Sequence, residues 1–146
     1  MTTEPLSKEK LRFYWSKTYN DMGKPDWSHI FKFYAENIVF QDTIQKIEGF
    51  KDFESMCHRL TKRCKQLRMD IKHVQGDDKT IFFEWTMTMI FRRMPSTPIY
   101  GSSRLTLNDE GLIVEQRDYY DLWGDIYNGV PIFKRLYRFF MRKIFG

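Results

Sequence analysis

At 146 residues the chain fits one domain of ordinary size with a single sizeable core. A composition of 42% hydrophobic and 29% charged residues, with few Gly or Pro, excludes the disordered and fibrous classes. The net charge of +5 sits wholly at the end: Lys134, Arg135, Arg138, Arg142 and Lys143 follow the last acidic residue, while the other 19 basic residues balance 19 acidic ones. The body therefore carries no global basic field, and nucleic acid is not an expected partner. No apolar run approaches the ~20 residues of a membrane span, and the N-terminal MTTEPLSKEK has no apolar signal region. Cys57 and Cys64, read as seven apart on one helix, are too distant (~10 Å) to bridge. These features predict a cytoplasmic protein with reduced thiols, neither secreted by the usual signal nor membrane-spanning. Thirteen Phe, eight Tyr and four Trp exceed what a small core needs and predict a ring-lined pocket or interface.

Ser7 caps a helix predicted over 8–22, with Leu11, Tyr14, Trp15, Thr18 and Tyr19 on one face, before Gly23 and Pro25 end it. Asp26 caps a second helix carrying Trp27, Ile30, Phe31 and Tyr34. A short strand over 38–42 turns back through 43–48, and Gly49 opens a third helix over 51–66 with Phe53, Met56, Cys57, Leu60 and Cys64 inward. Strands over 67–75, 80–91, 99–107 and 112–121 come next, joined by a GDDK turn, a connection over 95–98 and an NDEG turn. In the long strand Ile81, Phe83, Trp85, Met87, Met89 and Phe91 share one apolar face. The order implies an α+β architecture: a curved antiparallel sheet with helices on its concave side.

The closing stretch GLIVEQRDYYDLW places Gln116, Asp118 and Tyr120 on one strand face. If that face meets an apolar cavity, Asp118 is either an acid/base group with a raised pKa or a carboxylate held by hydrogen bonds or an arginine. Asp42, ending a strand before Thr43, is a second candidate, and also a residue type that caps turns. Arg104 and Arg117 fall out of phase and face outward. His29, His58 and His73 have no ligand at metal spacing, and no phosphate loop or nucleophile motif occurs.

YAENIVFQD before a glycine-started helix, together with GLIVEQRDYYDLW, resembles the nuclear-transport-factor-2-like superfamily, which includes SnoaL-like cyclases, ketosteroid isomerases and limonene epoxide hydrolases. The resemblance spans roughly residues 6–123 and implies a SnoaL-like domain over 1–123, followed by a basic amphipathic C-terminal helix over 124–146. It implies a cone-shaped sheet (a cystatin-like α+β barrel) wrapped by the N-terminal helices around a deep apolar pocket, commonly in a homodimer, with no cofactor needed. Asp42 matches the position of the general base in the isomerases, enzymes that work by tuning carboxyl pKa values apart. Ser103 stands where that enzyme keeps a protonated aspartic acid, which weakens the isomerase likeness. RDYYD places Asp118 at one of the epoxide hydrolase aspartates, whereas that family's Arg and Asp partners fall at Trp85 and Met87. The resemblance thus points to a small hydrophobic ligand, lipid- or polyketide-like, with Asp118 and Asp42 as catalytic candidates. Trp15, Tyr19, Phe40, Trp85, Met87, Ser103, Gln116 and Tyr120 are candidate ligand contacts.

After Gly129 and Pro131 a C-terminal helix begins. It puts Phe133, Leu136, Tyr137, Phe140, Met141 and Ile144 on one stripe, with Lys134, Arg138 and Arg142 opposite. Such a basic amphipathic helix suits two roles: peripheral contact with an anionic membrane surface, or packing on its own domain or a dimer mate. A non-catalytic ligand-binding or interaction module docked through this helix is the alternative to an enzyme.

Overall fold

The computed structural model describes residues 2–92, 98–126 and 130–146. Ser7 is the N-cap of α1 (Lys8–Ser16), its hydroxyl accepting from the Lys10 amide at 3.2 Å. Leu11 and Trp15, four apart, turn into the core. The helix stops short of its predicted end at Met22 because the next polar groups bind elsewhere. The Thr18 hydroxyl donates to the Leu67 carbonyl at 2.7 Å, and the Leu67 amide donates to the Tyr19 hydroxyl at 3.0 Å.

Only a 3-10 turn over Ser28–Phe33 forms where a second helix is predicted, and its N-cap is Trp27 rather than the predicted Asp26, which makes a local turn by accepting from the Ser28 amide at 3.0 Å. Tyr34 already opens β1 (Tyr34–Gln41), and β2 (Lys46–Glu48) pairs back on it where a plain turn is predicted. Gly49, at φ +91°, then admits α2 (Phe50–Arg63), which buries Phe53, Cys57 and Thr61. Cys64 begins β3 (Cys64–Gly76), so the two cysteines lie on different elements; both are buried free thiols.

Strands β4 (Thr80–Phe91), β5 (Pro98–Leu107) and β6 (Ile113–Tyr120) complete the sheet. The GDDK and NDEG turns form as predicted, closed by Asp77 and Asn108 accepting backbone amides. Most of the predicted connection over 95–98, and Gly129, lie outside the described residues.

The six strands run in the order β2-β1-β6-β5-β4-β3. This corrects the all-antiparallel expectation: β1 pairs with β6 in parallel, every other neighbour antiparallel, and the curved sheet stays open rather than closing as a barrel. α1 lies against β3 and α2 against β1, β2 and β3, so both helices cover the concave face. There Trp15, Phe31, Phe33, Tyr34, Phe53 and Phe83 form the aromatic core. The outer face carries Arg104 paired with Glu115, and Arg117 over the Tyr119 ring, as their strand phase predicts. Beyond β6 a tight turn over Leu122–Ile126 leads to α3 (Pro131–Phe145).

Candidate functional site

Strand alternation on β6 sends Gln116, Asp118 and Tyr120 to one face, and the register with β5 sets Leu105, Ser103 and Gly101 opposite them. One strand further, Phe83 faces Ser103 and Trp85 faces Gly101. The absent side chain at Gly101 makes the room for Trp85: a Cβ built there would lie 2.4 Å from two atoms of the indole. So placed, the indole N–H donates to Ser103 Oγ at 2.8 Å, with the Tyr120 ring 6.2 Å from it.

Hydrogen bonds converge on one carboxyl oxygen. The Ser103 hydroxyl donates to Asp118 Oδ1 at 2.6 Å and the Gln116 amide donates to the same oxygen at 2.9 Å. Gln116 is itself fixed, because the fully buried Tyr34 hydroxyl donates to its carbonyl oxygen at 2.6 Å. Asp118 Oδ2 has no hydrogen-bond donor among the described residues, so the two oxygens differ: one is anchored, the other available.

Burial is the main force on this carboxyl. Loss of solvent raises its pKa to about 6, opposed by the Ser103 and Gln116 hydrogen bonds and assisted by the charge of Asp42. Desolvation likewise pushes the Cys57 thiol up to about 12, and it is therefore no nucleophile near neutral pH.

These groups line one cavity of about 300 Å³, at the small end of ligand pockets. Of the predicted contacts, Trp15, Phe40, Trp85, Met87, Ser103, Gln116 and Tyr120 line it, as do Asp118 and Asp42. Tyr19 does not: it is exposed, and its hydroxyl serves β3 instead. Among the described residues no Lys, Arg or His lines it, so neither carboxylate meets a cation from them there. The exposed Ile44 and Gln45, beside Asp42, mark the rim.

Asp42 is committed differently. Its Oδ1 accepts from the Ile44 and Gln45 amides at 2.8 and 2.9 Å, and its Oδ2 accepts from the Tyr120 hydroxyl at 3.0 Å. Three donors thus satisfy it as a turn cap that also orients Tyr120. The reach of Tyr34 to Gln116 is not foreseen from the sequence. Its only local signal is a tyrosine at the helix-to-strand junction, followed by an apolar strand that packs beside β6.

Ser103→Ala tests this description. It removes a donor to ionised Asp118, so the carboxyl should titrate higher still, and it leaves the buried Trp85 N–H unpaired at a cost of about 1–3 kcal/mol. A titration midpoint unchanged from wild type, read by carboxyl NMR, is the contrary result.

Elsewhere, the half-buried His29 ring bonds the Tyr14 carbonyl oxygen at 2.9 Å, while His58 and His73 lie 3.8 Å from Glu54 and Glu84. Among the described residues no three His, Cys, Asp or Glu side chains cluster as a metal site would require.

Solved structures share this architecture. A ketosteroid isomerase-like protein from Catenulispora acidiphila, solved with trimethylamine, superposes with a TM-score of 0.68 at 12% identity over 88% of this chain and 95% of its own. A SnoaL-like polyketide cyclase assignment from Jannaschia sp. gives 0.61 at 16% over 71% and 78%, and an LEH-like epoxide hydrolase of M. tuberculosis 0.59 at 18% over 70% and 75%. At such identities the likeness concerns the fold. No functionally curated protein matches the sequence. The profile described as "Uncharacterized conserved protein (DUF2358)" matches residues 17–116, the span that contains the 3-10 turn, α2, β1 to β5 and most of the cavity wall. The chain therefore belongs to the DUF2358 family, built on the nuclear-transport-factor-2-like, SnoaL-like fold.

Proposed function

We propose that the cavity binds a small, largely apolar molecule and that Asp118 moves a proton on it. The supporting observation is the asymmetry of that carboxyl: Oδ1 is anchored by Ser103 and Gln116, while Oδ2 has no donor, and the cavity no cation, among the described residues. A group titrating near 6 is ionised at neutral pH yet basic enough to take a proton, and can return it without a cofactor. Trp85 and Met87, apolar and on the cavity wall, supply no guanidinium or carboxylate to activate water beside Asp118, and the cavity's other carboxylate, Asp42, is taken up by three donors. Proton transfer at carbon, of the isomerase or cyclase type, is therefore favoured over hydrolysis. Asp42 is assigned the supporting role of holding the Tyr120 hydroxyl.

Deuterium uptake from heavy water into small cyclic ketones with acidic C–H bonds tests this reading. The wild-type protein should accelerate uptake at least ~10²-fold over Asp118→Asn, the lower end of general acid–base contributions. Equal rates contradict it.

The commitment of the cavity hydroxyls among the described residues favours a second reading. Tyr34, Ser103 and Tyr120 already donate to Gln116, Asp118 and Asp42, so none of these hydroxyls is idle for a developing oxyanion. A carrier that only holds its ligand would show no exchange, yet would retain a copurifying small molecule in native mass spectrometry.

A further inference from the structure

Much of the apolar side of α3 is exposed. None of its residues is buried, and Ile132, Leu136, Phe139, Phe140, Ile144 and Phe145 are 55–84% exposed. One edge is tied down: Trp123 stacks on Phe133 and Tyr137 at 5.6 and 6.5 Å between ring centroids. On the helical wheel Phe139, Ile132, Leu136 and Phe140 then form an outward arc that includes one basic residue, Lys143. Beside it Lys134, Arg135, Arg138, Arg142 and Lys143 surround one shallow groove together with Phe139. The Lys143 ammonium sits over the Phe139 ring, 5.8 Å from its centroid.

We infer that α3 is a docking element for an anionic phospholipid surface, lying in the interface with Leu136, Phe139 and Phe140 inserted and the basic groove against headgroup phosphates. Charge complementarity selects this occupant. The helix has five basic residues and no acidic one. A second copy packed face to face would bring two such sets together without a counter-charge. A nucleic acid would satisfy the cations but leave the apolar arc in water. With 15 residues and these charges α3 lies on a bilayer rather than crossing it, and no helix among the described residues is long and apolar enough to cross. The inference stands independently of any reaction in the cavity.

Co-sedimentation of the full chain with phosphatidylcholine vesicles, with and without phosphatidylglycerol, provides the test. Binding should require phosphatidylglycerol, weaken in high salt, and fall about fivefold for each basic residue replaced among Arg135, Arg142 and Lys143. The double substitution Leu136→Glu with Phe139→Glu should abolish it while leaving the unfolding midpoint unchanged, since both side chains are exposed. Equal binding to both vesicle types, no binding to either, or binding that survives the double substitution would overturn the inference. So would a dimer in gel filtration that the double substitution dissolves, which would assign the arc to a second copy.

Discussion

Asp118→Asn should yield a protein that is more stable at neutral pH and without proton-transfer activity. Burial raises the carboxyl pKa to about 6 in the fold against 3.8 when free, so between those values the native state holds a proton that the unfolded chain has lost. Stability therefore falls as pH rises from about 4 to 6, by about 3 kcal/mol across the full shift. The amide abolishes that dependence. Its oxygen can accept from Ser103 and Gln116 as Oδ1 does, while its nitrogen faces the cavity. Weaker hydrogen bonds to a neutral acceptor offset part of the relief, leaving an expected gain of about 1–3 kcal/mol at neutral pH. Urea unfolding of both proteins across this range checks it; parallel stability profiles would show that Asp118 is not held above its ordinary range. A gain in stability coupled to a loss of exchange is the pattern of a residue kept for chemistry at the expense of the fold.

Gly101 and Trp85 should destabilise the protein separately and partly cancel together. Gly101→Ala drives a methyl to within 2.4 Å of a buried indole, which must leave its position or push β5 aside, at about 1–3 kcal/mol. Trp85→Ala removes the ring and its N–H bond to Ser103, at about 3–5 kcal/mol. In the double variant the methyl meets no ring, so the cost of Gly101→Ala vanishes and a coupling of about 1–3 kcal/mol should appear in the cycle. Additive costs, within ~0.5 kcal/mol, would mean that the indole does not depend on the missing side chain. The single Gly101→Ala should also disturb Asp118, because the displaced indole takes its hydrogen bond away from Ser103.

The strand face carrying Gln116, Asp118 and Tyr120 was legible because period-two alternation is a local property of the chain, and the asparagine and aspartate turns were legible for the same reason. Where prediction failed, long-range partners decided. Thr18 and Tyr19 have helical spacing, yet both bind the Leu67 backbone, and α1 ends before them. Tyr34 has the spacing of a helix stripe, yet it opens β1, whose parallel pairing with β6 joins segments some 80 residues apart and leaves no signature in either. Asp42 showed the two uses of one residue type: the turn-capping alternative describes its Oδ1, and only the structure shows Oδ2 engaged by Tyr120. The exposure of α3 was likewise undetermined, since an amphipathic sequence suits a bilayer and a protein groove equally.

The most direct test of the account is the titration of the Asp118 carboxyl carbon by NMR in the full chain. It should have a midpoint near 6, well above the ordinary aspartate value of 3.8, and should move when a small apolar ligand fills the cavity. A midpoint at or below 3.8, indifferent to ligand, would show a solvated or ion-paired carboxylate and contradict the assignment of Asp118 as the proton-transfer group.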